Sequence, residues 1–266
     1  MVIVKVGMKM RAEWSPAQYL KFEDHRTRPA ADLLSRVPGA DILSAVDIGC
    51  GPGNSTELLT TRFPEAHIVG MDSSGNMIEA ARQRLPAAEF ETGDIETWDP
   101  RTPQQLLFAN AVLQWVPNHQ RLFPRLMSFV ADGGSLAVQM PDNLDEPTHV
   151  SMRQAASDAR WQERLALADS ERAAIETAAT YYEILKPHCR RVDIWRTTYF
   201  HPLQGLEGIV EWFKSTGLLP YLSRLDRHEK ESYLAVYRGL LAEHYAEAPD
   251  GTVLLPFPRL FIVATK

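Results

Sequence analysis

The sequence is poor in cysteine, holding only Cys50 and Cys189 in 266 residues. Two thiols so far apart form neither a disulfide framework nor a zinc site, which needs clustered ligands. A reducing cytoplasm is the expected compartment. A surplus of basic charge is missing too. The net charge is −6, so no global cationic field draws the chain to nucleic acid or to an anionic membrane. A local cationic pocket stays compatible with that balance. No apolar window reaches membrane-spanning length. The opening MVIVKVGMKM is broken by Lys5 and Lys9 and is too short for a signal peptide. It reads as an extension, with Met8 or Met10 as alternative starts. Internal repeats and low-complexity tracts are absent. What is present is a 45% hydrophobic and 23% charged composition, ordinary for a globular protein. The length suits one large α/β domain or a domain with a substantial insertion.

Ser15-Pro16 is an N-cap followed by a first-turn proline. It predicts a helix around Ala17 to Asp24, then a charged knot, HRTRP, then a helix from Ala30 to Arg36. From residue 43 strands and helices alternate. LSAVDIG, HIVGMD, AEFETGD, QLLFANAV and SLAVQMP read as strands. Helices are predicted over Thr56 to Phe63, Gly75 to Arg84 and Asn118 to about Val130, the last interrupted or delayed by Pro124. Alternation of this kind predicts a parallel sheet with helices on both faces. After Pro141 it stops. Residues 143 to 182, 206 to 216 and about 226 to 246 read as helical. RVDIWRTTYFHPL reads as a strand, and TVLLPFPRLFIVATK as a strand interrupted by prolines. The expected organisation is an N-terminal extension with lid helices over 1–36. A domain over 37–266 follows, with helical cap insertions at about 142–188 and 204–248. Ligands of open α/β sheets bind beyond the carboxyl ends of the strands, where such a cap would lie.

The turn AVDIGCGPGNST, residues 45–56, carries Gly49, Gly51 and Gly53 at alternate positions. A dinucleotide fingerprint, G-x-G-x-x-G, would need glycine at residue 54, which is Asn54. Asp47 stands two residues before the first glycine. A carboxylate there opposes a pyrophosphate and favours a ligand with a cationic end. S-adenosylmethionine has an ammonium, a sulfonium and no phosphate. The next strands end in Asp72, suited to ribose hydroxyls, in Asp94-Ile95, suited to an adenine amino group, and in Asn110, beside the methionine part. Trp115 is placed to wall the cofactor. A solvated helix cap explains Asp72 equally well on its own; the successive strand-end acids together do not arise easily by chance. Asp47 and Asn54 argue against a dinucleotide oxidoreductase. The intact constellation argues against a non-enzymatic module.

The run D-x-G-C-G-P-G-N-S-T, followed by MDSS, GDIETW and ANAVLQWVPNH, resembles the class I S-adenosylmethionine-dependent methyltransferases. WSPAQYLKFEDHRTRPAADLL, VQMPDNLDEPTH, IVEWFKSTGLLPYL and FPRLFIVATK are similar to the trans-aconitate 2-methyltransferases among them. The resemblance spans residues 14 to 266 and is weakest from Ser157 to Thr180. Gln104 and Gln105 stand where an acid often precedes the fourth strand. The resemblance implies a Rossmann-like seven-stranded mixed sheet, last strand antiparallel, with helices on both faces and a helical cap over the site. It implies methyl transfer from S-adenosylmethionine to a carboxylate of trans-aconitate, giving a monomethyl ester and S-adenosylhomocysteine. The alternative is an O-methyltransferase for a different small acid or hydroxyl. The expected partner is a small tricarboxylate, with neither nucleic acid nor membrane.

A carboxylate acceptor is already ionised at neutral pH. No general base, triad or metal is then expected, and catalysis falls to positioning, on the order of 7–11 kcal/mol, and to desolvation. The carboxylates that do not react need cations or other donors. Candidates are His25, Arg26 and Arg28 in the knot, Gln114 after the fourth strand, Gln139 and Asn143 near the end of the fifth, and Arg196, His201 and Arg259 on the late strands. For each cation alone, a surface ion pair is the competing reading. Trp14, Tyr19 and Phe22 are further aromatic candidates, Phe22 more readily a core residue. His149 and Trp195 are read as structural, and nothing marks Cys50 as a nucleophile.

Overall fold

The computed structural model describes residues 22–39, 41–168, 174–214 and 216–266. The parallel strands are β1 (Ser44–Ile48), β2 (His67–Asp72), β3 (Glu89–Thr92), β4 (Gln104–Asn110) and β5 (Val130–Pro141), of which β1, β4 and β5 are largely buried while the edge strand β3 buries only Phe90. The long strands β6 (Arg191–Gln204) and β7 (Thr252–Thr265) complete a seven-stranded sheet ordered β3-β2-β1-β4-β5-β7-β6. β7 runs antiparallel to both β5 and β6. The sheet is the mixed α/β architecture expected. Strand order reverses between β1 and β4, the switch point where such sheets open a crevice.

Side chains alternate between the two faces. One face carries Ala45, Phe108, Ala137 and Phe261, packed against Leu33 of α1 (Glu23–Ser35) and Leu59 of α2 (Asn54–Arg62). The other carries Ile48, Leu107, Val138 and Ile262, packed against α4 (His119–Ser128) and α7 (Ala178–Leu185). Between them in the chain come α3 (Gly75–Arg84), α5 (Pro147–Ala156) and α6 (Gln162–Leu165). β6 and β7 pair from Arg191↔Thr265 to Gln204↔Thr252, whereas β5 pairs with β7 only as far as Pro141↔Arg259. The protruding hairpin packs with α5, α6, α8 (Gly205–Lys214), α9 (Leu219–Leu222) and α10 (Arg227–Ala242) in a separate cluster around Trp212, Tyr233 and Phe257.

Five expectations change. The knot HRTRP is not a break but the middle of α1. Arg26, Pro29, Ala30, Leu33 and Leu34 are its buried residues, a helical stripe hidden from sequence reading because it contains an arginine and a proline. The helix predicted over Ala17 to Asp24 lies mostly outside the described residues, as do Trp14 and Tyr19. Pro124 does not interrupt α4. The carbonyl it deprives of a donor belongs to exposed Gln120, where water can serve, while Leu122, Phe123, Leu126 and Met127 anchor the opposite side. Pro256 and Pro258 do not interrupt β7. The Pro258 carbonyl accepts from Asp142 N just past the end of β5 (3.0 Å), so the prolines turn their missing N–H toward an edge where the neighbouring strand has ended. Among the described residues, the stretch read as one helical region over 143–182 holds α5, α6 and the start of α7 as separate helices, and β5 begins five residues early, with an irregular register beside Gln104. Among the described residues, no helix is long and apolar enough to cross a membrane.

Candidate active site

The glycine turn is tied to β2 by two backbone bonds. Gly49 N and Cys50 N both donate to the Met71 carbonyl, at 2.7 and 3.0 Å. Gly49 has φ +69, and a Cβ there would stand 2.3 Å from Val112 Cγ2. Only glycine fits between the turn and the residues after β4. Asp47 lies beneath the turn and is fully buried. Its Oδ2 accepts from Ser55 Oγ (2.7 Å) and Thr56 Oγ1 (2.6 Å), pinning the first turn of α2 to β1. Burial pushes the Asp47 carboxyl up to about 6, with the hydroxyl donors opposing that rise and Asp72 adding to it. Asp47 thus holds the turn's shape and lends it negative potential from below. Cys50 is buried and its thiol is pushed up by burial, so it packs rather than reacts.

Asp72 closes the turn from the side. Its Oδ2 accepts from Gly51 N (3.0 Å) and its Oδ1 from Ser74 N (2.8 Å). Asp94 shapes the next strand end, accepting from Glu96 N at Oδ1 (3.0 Å). Ile95 beside it is buried, and its carbonyl is held by both terminal nitrogens of Arg125 at 2.9 Å. At the end of β4 the backbone takes a positive φ at Ala111, +54, a sparsely populated conformation for a residue with a Cβ. Gln114 Nε2 donates to the Ala111 carbonyl (2.6 Å), which leaves Gln114 Oε1 buried without a partner. Asn110 Oδ1 and Asp47 Oδ1 are likewise buried and unpartnered. The side of the switch point formed by β1, β2 and β4 therefore offers acceptors and acids, which fit a cationic cofactor. Trp115 sits in the single turn Leu113–Trp115 that follows.

The neighbouring side has the opposite character. Gln139 on β5 pairs in register with Asn110 on β4, so the two stand side by side on the face covered by α1. Arg259 on β7 donates from Nη1 to Gln139 Oε1 (3.1 Å), fixing which end of that amide is oxygen. Gln139 Nε2 is then a buried donor without a partner. His201 on β6 is 2% exposed, and its Nε2 also lacks a partner. Its ring stacks on Trp212 of α8 (4.5 Å) and meets His25 of α1 edge-on (4.9 Å). Burial, then the charges of Arg259, His25, Arg28 and Arg26, push the His201 imidazole down to about 3. Arg28 and Arg259 both lie against the Tyr199 ring, at 5.1 and 5.9 Å. Arg26 braces α1 to α8, with Nη2 donating to the Trp212 carbonyl (3.2 Å).

The structure thus gathers His25, Arg26, Arg28 and Arg259 around His201. It does not bring Arg196 to them. Arg196 is half exposed and donates from Nε to Asp142 Oδ2 (2.8 Å). It lines a different cavity, of about 570 Å³, together with Asp142, Asp145 and Glu176. That wall is too acidic for an anionic acceptor. Two features escaped sequence reading. Tyr199 links the cations to α1 through its hydroxyl, which donates to Asp32 Oδ2 (2.6 Å); the alternation in RTTYFH was its only signal. Glu23 accepts from Asn54 Nδ2 (2.8 Å) and Arg84 Nη2 (2.5 Å), latching the start of α1 to α2 and α3. Nothing in the spacing announces that contact across 61 residues.

Residues 45–134 match the family described as "Methyltransferase domain". The trans-aconitate 2-methyltransferase of Methylobacterium nodulans is 54% identical to the chain, covering 96% of it and 99% of the relative. Among solved structures, the YcgJ protein of Bacillus subtilis aligns with a TM-score of 0.57 at 11% identity, over 91% of this chain and 98% of its own. Phosphoethanolamine N-methyltransferase 2 of Haemonchus contortus, solved with S-adenosyl-L-methionine, aligns with a TM-score of 0.53 at 14% identity, over 89% and 52%. At such identities the two structures speak for the fold.

Proposed function

This chain belongs to the trans-aconitate 2-methyltransferase family of class I S-adenosylmethionine-dependent methyltransferases, and from that premise we propose how its residues carry out the transfer. The protein moves a methyl group from S-adenosylmethionine to a carboxylate of trans-aconitate, yielding a monomethyl ester and S-adenosylhomocysteine. When bound, S-adenosylmethionine supplies a methyl carbon whose bond to sulfur breaks as the carboxylate oxygen bonds to it, sulfur keeping the electron pair.

Gly49 and Gly51 let the backbone come close to the methionine and ribose parts. Asp72 accepts from the ribose hydroxyls, and Asp94 with the Ile95 backbone reads the adenine. Asn110 and Gln114 present oxygens to the ammonium, and Trp115 walls the pocket. Asp47 keeps the turn in shape from below, and Gly53 starts α2. No side chain needs to move a proton, since the acceptor is a carboxylate and already charged. The residues' work is orientation and exclusion of water. α1 acts as a lid, and within the insertions at about 142–188 and 204–248 the helices α5, α6, α8, α9 and α10 close the acceptor side, while α7 packs on the opposite sheet face. A cytoplasmic setting suits the free thiols of Cys50 and Cys189.

The observation that carries this reading is the acid-backed glycine turn at the switch point, bordered on one side by buried nitrogens without partners. Labelled S-adenosylmethionine incubated with a panel of carboxylic acids tests it. Label should pass to trans-aconitate far faster than to citrate or cis-aconitate. Cofactor binding without transfer to any acid on the panel would overturn it.

A further inference from the structure

Buried donors that nothing satisfies are rare, because each forfeits its hydration on folding. Among the buried polar atoms without a partner, Gln139 Nε2 and His201 Nε2 lie on one face of the sheet, beside Arg26, Arg28, Arg259 and His25. Gln139 is fully buried and His201 nearly so. The Gln139 amide cannot turn round without placing its NH2 against the Arg259 guanidinium, a donor against a donor. The His201 ring is wedged between Trp212 and His25. Such like-charged crowding is unfavourable by itself and becomes favourable around an anion of multiple charge.

We infer that Gln139, His201 and Arg259, roofed by His25 and Arg28 of α1, form a clamp for the two non-reacting carboxylates of a polycarboxylate acceptor. The inference rests on the transferase reading above and adds the residues that choose the acid. Gln139 donates from Nε2, neutral His201 donates from Nε2, and Arg259 orients Gln139 while supplying charge. Neither Gln139 nor His201 touches the methyl being transferred. The spacing suits this division. Asn110 on β4 lies two strands from β7, about 10 Å across the sheet, with Arg259 two residues along β7 from Phe261, the register partner of Gln139. A propene bearing three carboxylates bridges a gap of that order, with one carboxylate toward the glycine turn and two in the clamp. A monocarboxylate would leave the clamp's donors empty and bind poorly.

Calorimetric titration of trans-aconitate into protein saturated with S-adenosylhomocysteine tests the clamp in three proteins: wild type, Gln139→Leu and Gln139→Glu. Gln139→Leu removes the donor at similar size. Gln139→Glu keeps an acceptor for Arg259 and replaces the donor with an anion, so it separates the clamp from a merely structural contact. Trans-aconitate affinity should fall about 10- to 100-fold in Gln139→Leu and further in Gln139→Glu. S-adenosylhomocysteine affinity should stay as in wild type. Trans-aconitate affinity within threefold of wild type, in either variant that still binds S-adenosylhomocysteine, overturns the clamp. Citrate and tricarballylate titrated in parallel distinguish the two readings. If wild type binds these acids through Gln139 but does not methylate trans-aconitate, the clamp stands and the acceptor assignment falls. If wild type binds no polycarboxylate, both fall.

Discussion

The two halves of the crevice share one sheet face and carry opposite chemistry. Where β1, β2 and β4 end, the buried unpartnered atoms are acceptors, Asp47 Oδ1, Asn110 Oδ1 and Gln114 Oε1, with Asp72 and Asp94 alongside. Where β5, β7 and β6 come together, they include the amide donor Gln139 Nε2 and the ring nitrogen His201 Nε2, amid Arg26, Arg28, Arg259 and His25. The boundary is one strand wide, between Asn110 and Gln139. A sulfonium and a carboxylate meeting at that boundary would each lie in a field of complementary sign, and both would lose charge as the methyl moves. The halves also differ in construction. The acceptor-rich half is built from successive βα units, in which turn and strand end are neighbours in sequence. The donor-rich half joins α1, β5, β6 and β7, so that Arg259 reaches Gln139 across 120 residues.

Substitutions that damage one half should spare the other if the comparison holds. The largest effect belongs to Gly49→Ala. The new Cβ would strike Val112 and sit at positive φ, at a cost of about 2–4 kcal/mol. Thermal unfolding should drop by roughly 5–10 °C, and S-adenosylhomocysteine binding should vanish in titrations. Near-normal cofactor affinity in Gly49→Ala would break the account of the turn.

A smaller effect concerns acid stability and the donor-rich half. His201 is held neutral in the fold, with its imidazole depressed to about 3. Between that value and the ordinary value near 6.5, the unfolded chain binds more protons than the folded one. Its contribution to stability is therefore intact above about pH 6.5 and is lost as pH falls below it. Between pH 7 and pH 5 the loss is about 2 kcal/mol. Urea denaturation in a buffer free of polycarboxylates should show wild type losing that much more than His201→Phe over the same interval. Equal losses in the two proteins would mean that His201 titrates normally. The rise at Asp47 has the opposite sign, favouring the fold as pH drops through about 6, and cancels in the difference between the proteins.

The smallest effect is predicted for Arg196→Ala. This half-exposed residue pairs with Asp142 away from the cationic cluster, and exposed ion pairs contribute about 0–1 kcal/mol. The Michaelis constants for S-adenosylmethionine and for trans-aconitate should both stay within about twofold of wild type. A rise confined to trans-aconitate would place Arg196 in the acceptor site after all.

Much of the first half was legible from the chain. HIVGMD and Gly75 to Arg84 became β2 and α3 at those bounds, because alternation and a Ser74 cap are local signals. The glycine turn was readable because Gly49, Asp47 and the strand that positions them lie within a few residues of one another. The second half was readable only as a roster of cations. His25, Arg26, Arg28, Arg196, His201 and Arg259 were all candidates in sequence. Burial and register separated them, leaving Arg196 in a surface pair and Arg26 bracing Trp212. The prolines misled for a similar reason. Pro29, Pro124 and Pro258 each withhold one N–H, and whether that breaks an element depends on which neighbour would have received it.

By itself the sequence determined the alternating βα core, the acid-backed glycine turn and the family. These follow from short-range periodicity, from steric demands on single residues, and from likeness along the whole chain. The tertiary structure alone decided that α1 passes unbroken through the charged knot, that Glu23 latches it to Arg84, and that Gln139 and His201 end with buried, unpartnered nitrogens beside Arg259. Those outcomes depend on which distant surfaces meet. A donor's worth is set by the partners that burial leaves within its reach, and sequence spacing carries no record of them.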